Sequence, residues 1–128
     1  MTVMQISVFL ENKAGELNKI TEILAENSVN LKAISVAETN DYGIIRLIAD
    51  DVDKAKDLLI NAGMVISVNP VQIISVPNVV GGLNALLAKI AKAGININYM
   101  YSILGGNENE AEMIFKTDNP QALDTLFN

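Results

Sequence analysis

Two turns in the sequence have the backbone pattern that suits binding of a carboxylate group. The first covers residues 11–17, Glu-Asn-Lys-Ala-Gly-Glu-Leu, and the second covers residues 77–83, Pro-Asn-Val-Val-Gly-Gly-Leu. Each lies between an apolar strand-like run and a run of helical period, so each is predicted to join a strand to a helix. The N–H groups that begin a helix lack acceptors within it, and the positive end of the helix dipole points the same way. Both turns are therefore candidate carboxylate sites, with a tight turn and no ligand as the alternative.

Glycine stands at the same point of each turn, as Gly15 and as Gly81. Gly15 is predicted to supply a backbone position where a side chain would obstruct. The pair Gly81 and Gly82 is predicted to permit close approach to the backbone, although the second turn has no charged residue.

The residue types present exclude most catalytic chemistry. The 128 residues include no cysteine and no histidine, which excludes a thiol nucleophile, an imidazole base and typical zinc or copper sites. Catalysis would then need converging carboxylates, and Glu11, Glu16 and Glu38 show no motif-level spacing for that role. The sequence therefore predicts a non-catalytic protein without metal or cofactor, and an enzyme that uses carboxylates is the alternative.

Charge and hydropathy exclude two kinds of partner. The formal net charge of −6 and nine scattered basic residues argue against nucleic acid, whose phosphates require clustered lysine and arginine. No apolar run reaches the roughly 18 to 20 residues of a membrane span, and the first residues do not resemble a signal peptide. Absence of cysteine fits a reducing compartment, so a cytoplasmic location is predicted.

Hydrophobic periodicity predicts an alternation of strands and helices. Asn69 and Pro70 mark a joint between two halves, with no Gly/Ser-rich linker. The predicted strands cover residues 3–10, 29–37, 43–49, 64–68, 71–76, 95–103 and 111–116, and the predicted helices cover residues 17–28, 50–62, 83–91 and 121–127.

The second half of the chain repeats the first. Residues of the same type or character recur 66 positions apart, namely Gly15 and Gly81, Leu17 and Leu83, Ala25 and Ala91, and Asn30 and Asn96. A shift that keeps the turn, the helix face and the start of the next strand in phase indicates two copies of one unit. We predict units at residues 1–69 and 70–128, and the second lacks an equivalent of the last strand of the first, which is either missing or supplied from elsewhere.

The repeated pattern resembles the ACT domain family. The pattern is a charged residue, then a small residue, glycine and leucine, followed by an amphipathic helix and Val/Ile-Asn-Leu/Ile. The resemblance covers the whole chain as two tandem copies. It is closer in the first turn, which departs at Ala14, where the family often has proline, and at Asn12 and Lys13, which replace an acidic–basic pair. The second turn keeps Gly81 and Leu83 but not the charges, so one of the two sites is expected to be empty.

This resemblance implies an α+β fold of two tandem ferredoxin-like βαββαβ units. Their antiparallel sheets would carry the helices on one face and join into one continuous sheet. The family also implies a regulatory role, with a small ligand, most often an amino acid, bound at the interface between two ACT units. The turn backbones would bind the ligand carboxylate, and Asn30 and Asn96 would bind its amino group or side chain. The implied ligand-binding residues are Asn12, Lys13, Ala14, Gly15, Glu16, Leu17, Asn30, Leu31, Asn78, Val79, Val80, Gly81, Gly82, Leu83, Asn96 and Ile97.

The predicted function is thus a non-catalytic sensor of an amino acid or a similar metabolite, which forms a homodimer. The alternative is an assembly module with empty ligand sites that joins a metabolic enzyme as a subunit. For each asparagine, a local hydrogen bond to backbone at the start of a strand is the alternative to ligand binding.

Overall fold

The computed structural model describes residues 1–11, 13–38 and 41–127. None of the described helices has the length and apolar character needed to cross a membrane. The elements, in chain order, are β1 (Thr2–Glu11), α1 (Glu16–Glu26), β2 (Leu31–Glu38), β3 (Tyr42–Ala49), α2 (Val52–Asn61), β4 (Val65–Pro77), α3 (Gly82–Lys92), β5 (Ile97–Ser102), β6 (Glu110–Thr117) and α4 (Pro120–Phe127).

The strands lie in the order β2-β3-β1-β4-β6-β5. The described pairings are β1 with β3, β2 with β3, β4 with β6 and β5 with β6, and all four are antiparallel. Four helices accompany the six strands in the described chain. The predicted fold class, α+β with tandem ferredoxin-like units, is confirmed. The chain divides into two compact units, one of Met4–Asn69 and one of Met1–Val3 with Pro70–Asn128.

The unit formed by Met4–Asn69 buries one face of its strands under α1 and α2. β3 pairs with β1 on one side and with β2 on the other, so that Leu47 stands opposite Ile6 and Ile34. The apolar period of the helices places their buried side chains on the face that meets the sheet. The buried core consists of Ile6, Val8, Ile20, Leu24, Val29, Ile45, Leu47, Ala49, Ala55 and Leu59.

The unit formed by Met1–Val3 and Pro70–Asn128 has the same construction with α3 and α4. Here β6 pairs with β4 and with β5, and Phe115 stands opposite Gln72 and Met100. The buried core consists of Ile74, Val76, Leu86, Ile90, Phe115 and Leu123. Each unit thus has its own core beneath its own pair of helices.

The first residues of the chain belong to this second unit. The Ile73 N–H donates to the Met1 carbonyl at 2.8 Å, and the Met1 amine donates to the Ile73 carbonyl at 3.3 Å. The Thr2 hydroxyl donates to Asp124 at 2.8 Å and accepts from the Gln72 amide at 3.3 Å. Residues 1–3 therefore supply backbone and side-chain partners to β4 and α4.

The strands predicted at residues 64–68 and 71–76 form a single strand, β4 (Val65–Pro77), which continues through Asn69 and Pro70. Proline lacks an N–H, but the described pairing of β4 with β6 begins only at Gln72. Pro70 therefore removes no hydrogen bond from the ladder between β4 and β6. The fixed φ of proline is also compatible with an extended strand.

Candidate ligand-binding turns

Both turns place a left-handed glycine immediately before a helix. Gly15 has φ 89° and precedes α1, and Gly81 has φ 81° and precedes α3. Neither helix has a side-chain cap, in contrast to α2, where the Asp51 carboxylate accepts from the Lys54 N–H at 3.1 Å. The two turns therefore share one backbone geometry, and glycine is needed because other residues rarely adopt a positive φ.

The prediction that a side chain would be obstructed at the position of Gly15 was wrong. A Cβ at Gly15 would meet no atom within 4 Å, so its backbone conformation, rather than obstruction, favours glycine. Obstruction applies to Gly82, where a Cβ would clash with the Pro77 carbonyl oxygen. The chain thus approaches itself closely at Gly82.

The N–H groups of the second and third residues of α1 and of α3 are available as donors. Within the described chain, no acceptor is in place for the N–H groups of Leu17 and Asn18 in α1, or of Leu83 and Asn84 in α3. The Gly15 and Gly81 carbonyls accept the first helical bonds, from Lys19 and Ala85 at 3.1 and 2.9 Å. Such N–H groups can bind an anion that approaches along the helix axis.

A chain of ion pairs occupies the first turn. The Lys13 ammonium lies 3.0 Å from the Glu11 carboxylate and 3.8 Å from that of Glu16, which also accepts from Lys19 at 3.0 Å. The hydrogen bond and charge of Glu11, with the charge of Glu16, raise the pKa of Lys13 above its ordinary value of 10.5. The charged side chains of this turn are therefore already paired with one another or with Lys19. The predicted site residue Asn12 lies outside the described residues.

We expect the substitution Glu11→Gln to lower the pKa of Lys13 towards its ordinary value. Glutamine removes the charge that favours the ammonium form, while Glu16 remains. Because the pKa of Lys13 is raised, any stability from this pair is present at neutral pH and is lost as the pH rises through that pKa. A side-chain NMR titration of Lys13 measures the shift, and Glu22→Gln is the control. An unchanged pKa of Lys13 in Glu11→Gln would contradict the assigned pairing.

The second turn contains no ion pair and borders a surface depression of about 480 Å³. Four of the predicted residues line it, namely Val79, Val80, Gly81 and Gly82. Pro77, Ala85, Leu86 and Lys89 complete its walls. Val80 is fully exposed, and Val79 is exposed by 66%. Leu83 is also partly exposed but does not line this depression.

Asn78 has a structural role in the same turn. Its N–H donates to the Asn109 carbonyl at 2.8 Å, and its side-chain amide donates to the Glu108 carbonyl at 2.9 Å. These bonds attach the turn to the loop that connects β5 with β6. The Asn78 amide is therefore already used within the fold.

The asparagines that precede β2 and β5 lie apart from these depressions. Asn30 is exposed, and its N–H and carbonyl bond to the Asp50 carboxylate and N–H at 3.1 and 3.0 Å. Asn96 is exposed as well. Leu31 and Ile97 pack against the cores of their units. Neither depression at a turn is lined by these residues.

In the first turn, Glu16 lines a surface depression whose other lining residues are Lys19, Glu22, Ile23, Glu26, Ala62 and Met64. Lys13, Ala14 and Gly15 are exposed and do not line it. Ala85 and Lys89, which line the depression at the second turn, are not among the residues predicted from the sequence. Their spacing from Gly81, four and eight residues, places all three on one helix face and was the available signal.

The fold and the paired glycine turns agree with one known family. A family model for the ACT domain pair matches residues 1–126. The chain belongs to the ACT domain family, and the resemblance found in its sequence is confirmed. Comparison with curated protein sequences gave no match.

Solved structures show the same architecture. The chain is similar to a Bacteroides thetaiotaomicron protein of known crystal structure, with 39% identity over 98% of this chain and 84% of that one and a TM-score of 0.87. It is also similar to the ligand-free regulatory subunit of aspartate kinase from Thermus thermophilus, with 15% identity over 100% and 98% of the chains and a TM-score of 0.64. Escherichia coli aspartokinase III, in complex with lysine and aspartate, is matched over 30% of its length, with 12% identity over 98% of this chain and a TM-score of 0.55. The last two likenesses concern the fold alone.

Proposed function

We propose that this chain is a non-catalytic regulatory protein that binds an amino acid at an interface between ACT units. The observation that carries the proposal is the match to an ACT domain pair across residues 1–126. Two helices that each begin at an uncapped, left-handed glycine support it, because their first N–H groups suit a carboxylate.

The chemistry of an amino acid suits groups at these turns. Its carboxylate needs donors, which the N–H groups of Leu83 and Asn84 or those of Leu17 and Asn18 supply. Its ammonium group needs acceptors, such as carbonyl oxygens of the turns or, where another ACT unit brings them close, the exposed side chains of Asn30 and Asn96. These donors and acceptors bind the ligand without any group that would transform it chemically.

Regulation by such a protein passes through another protein or through self-association. We propose a homodimer, because Val65, Val79 and Val80 are large apolar residues that stay exposed in the single chain. We also propose that a metabolic enzyme is the regulated partner. The regulatory subunit of aspartate kinase from Thermus thermophilus provides an example of the same fold in such a setting.

A thermal-shift screen of the twenty amino acids tests the proposal. A ligand present at 100 times its Kd should stabilise the protein by about 2.7 kcal/mol, which raises the Tm by several degrees in a chain of this size. We expect one amino acid, or one chemically related group, to give this shift. The decarboxylated amine of the best ligand is the control and should give none, because it lacks the group that the turn binds. A screen in which no amino acid raises the Tm would refute amino acid binding.

A further inference from the structure

The two turns have the same backbone geometry and opposite side-chain chemistry. At a shift of 66 residues, four charged residues in the first turn and the start of α1 correspond to uncharged residues in the second turn and the start of α3. The replaced pairs are Glu11 and Pro77, Lys13 and Val79, Glu16 and Gly82, and Lys19 and Ala85. Because the two turns share a backbone geometry but differ in side-chain charge, they are suited to different ligands.

The first turn is poorly suited to an anionic ligand. A ligand carboxylate would compete with Glu11 for Lys13 and with Glu16 for Lys19, which are already paired at 3.0 Å. The depression next to this turn is lined by three carboxylates, those of Glu16, Glu22 and Glu26, and by one lysine. An anion that entered it would meet net repulsion.

The second turn offers apolar walls and one cation. Val79, Val80 and Leu86 line the depression, and Lys89 is the one charged residue of its lining. No carboxylate of the described residues lies within ion-pair distance of Lys89, whose ammonium lies 4.8 Å from the centre of the Phe127 ring. The volume of about 480 Å³ and that of about 340 Å³ at the first turn both fall within the range of about 300 to 1,000 Å³ that is typical of small-molecule sites, so lining and charge, rather than size, distinguish the two.

We propose that the second turn, rather than the first, takes the ligand, and that the ligand is a small carboxylate with a branched aliphatic body. This inference rests on the proposed function. The charge of Lys89 complements the carboxylate, and the valine and leucine walls bury the aliphatic body, with a gain for each apolar group removed from water. A charged or strongly polar ligand side chain would lose its hydration against these walls without a partner.

The residues that line the depression are compatible with two kinds of small aliphatic carboxylate. The lining includes no carboxylate to pair with an ammonium group. The acceptors are carbonyl oxygens, and those of Pro77 and Val79 already accept from Val79 and Gly82 at 2.9 and 3.0 Å, with one lone pair each to spare. An aliphatic amino acid and its 2-oxo acid share the required chemistry, and direct comparison separates them.

Calorimetric titration of the full chain with valine, leucine, isoleucine and their 2-oxo acids tests the inference, with aspartate and lysine as polar comparators. The substitution Val80→Asp puts a carboxylate at the mouth of the depression, where it repels the ligand and removes an apolar wall. We expect it to raise the Kd by at least about tenfold. Ala14→Asp, at the equivalent position of the first turn, is the matched control and should change the Kd by less than about twofold. Both positions are exposed, so circular dichroism should show both variants folded.

The outcomes separate this inference from the proposed function. Binding of an aliphatic ligand that is weakened by Val80→Asp and not by Ala14→Asp supports the inference, whether the amino acid or the 2-oxo acid binds. Tighter binding of aspartate or lysine, or a loss caused by Ala14→Asp alone, overturns the inference while ligand sensing stands. Absence of binding for every amino acid and 2-oxo acid overturns both.

Discussion

Replacement of Gly82 by alanine is expected to lower the free energy of unfolding by about 3 kcal/mol. The new Cβ would lie far inside van der Waals contact with the Pro77 carbonyl oxygen. That oxygen cannot withdraw freely, because it accepts from the Val79 N–H at 2.9 Å, and the Gly82 N–H donates to the Val79 carbonyl at 3.0 Å. The turn must therefore open, at the expense of the bonds that close it. Urea unfolding without ligand measures the loss.

Two variants of the same turn geometry provide the controls. Glu16→Ala, at the equivalent position of the first turn, introduces no clash and removes the ion pairs between a carboxylate that is 13% exposed and two exposed lysines, so it should change the stability by about 1 kcal/mol or less. Gly81→Ala meets no atom within 4 Å but must keep φ near 81°, which costs about 1 to 2 kcal/mol. If Gly82→Ala were no more costly than Gly81→Ala, the close approach to Pro77 would not be a constraint on this fold.

Local periodicity accounts for the part of the fold that could be predicted from sequence. Ile20 and Leu24 in α1, and Leu86 and Ile90 in α3, are the buried residues of their helices. Their spacing of four residues places each pair on one helix face, which is visible in the sequence without any tertiary information. The repeat supports these predictions because the turn, the following helix and the start of the next strand each recur 66 residues later, and the repeated pattern resembles the ACT family.

Long-range pairing accounts for what the sequence could not reveal. The sequence predicts a joint at Asn69 and Pro70, and only the tertiary structure shows that β4 continues through them and pairs with β6 from Gln72 onwards. The pairing of Met1 with Ile73 joins residues 72 positions apart and leaves no local pattern. A strand that is supplied from such a distance is invisible to periodicity.

The candidate site, like the fold, could be predicted from the sequence only in its local features. The glycines and the uncapped starts of both helices follow from turn chemistry that one sequence displays. The depression at the second turn also needs Ala85 and Lys89, one and two helical turns beyond Gly81. The ion pairs of the first turn depend on rotamers, so the sequence shows the charges of Lys13 and Lys19 but not that both are already paired.

A variant that begins at Met4 is expected to destabilise the unit that contains Pro70–Asn128 by about 4 kcal/mol. Loss of residues 1–3 removes the two backbone bonds to Ile73, the hydroxyl bond to Asp124 and the partner of the Gln72 amide. Gln72 is only 2% exposed, and its side-chain oxygen already lacks a partner among the described residues, so the whole amide would be left unpaired. A buried polar group without a partner costs about 1 to 3 kcal/mol.

Amide hydrogen exchange locates the loss, because each unit has its own core. Protection should fall at Ile74 and Phe115, whereas Ile45 and Leu47 should lose less, since Met4–Asn69 keeps all of its residues. Thr2→Val provides an intermediate variant that removes the hydroxyl and keeps the backbone bonds, with an expected loss of about 1 to 2 kcal/mol. Thr125→Val, at an exposed helical threonine, is its matched control and should have little effect. Equal losses of protection in both units would show that residues 1–3 do not act chiefly on the unit that contains Pro70–Asn128.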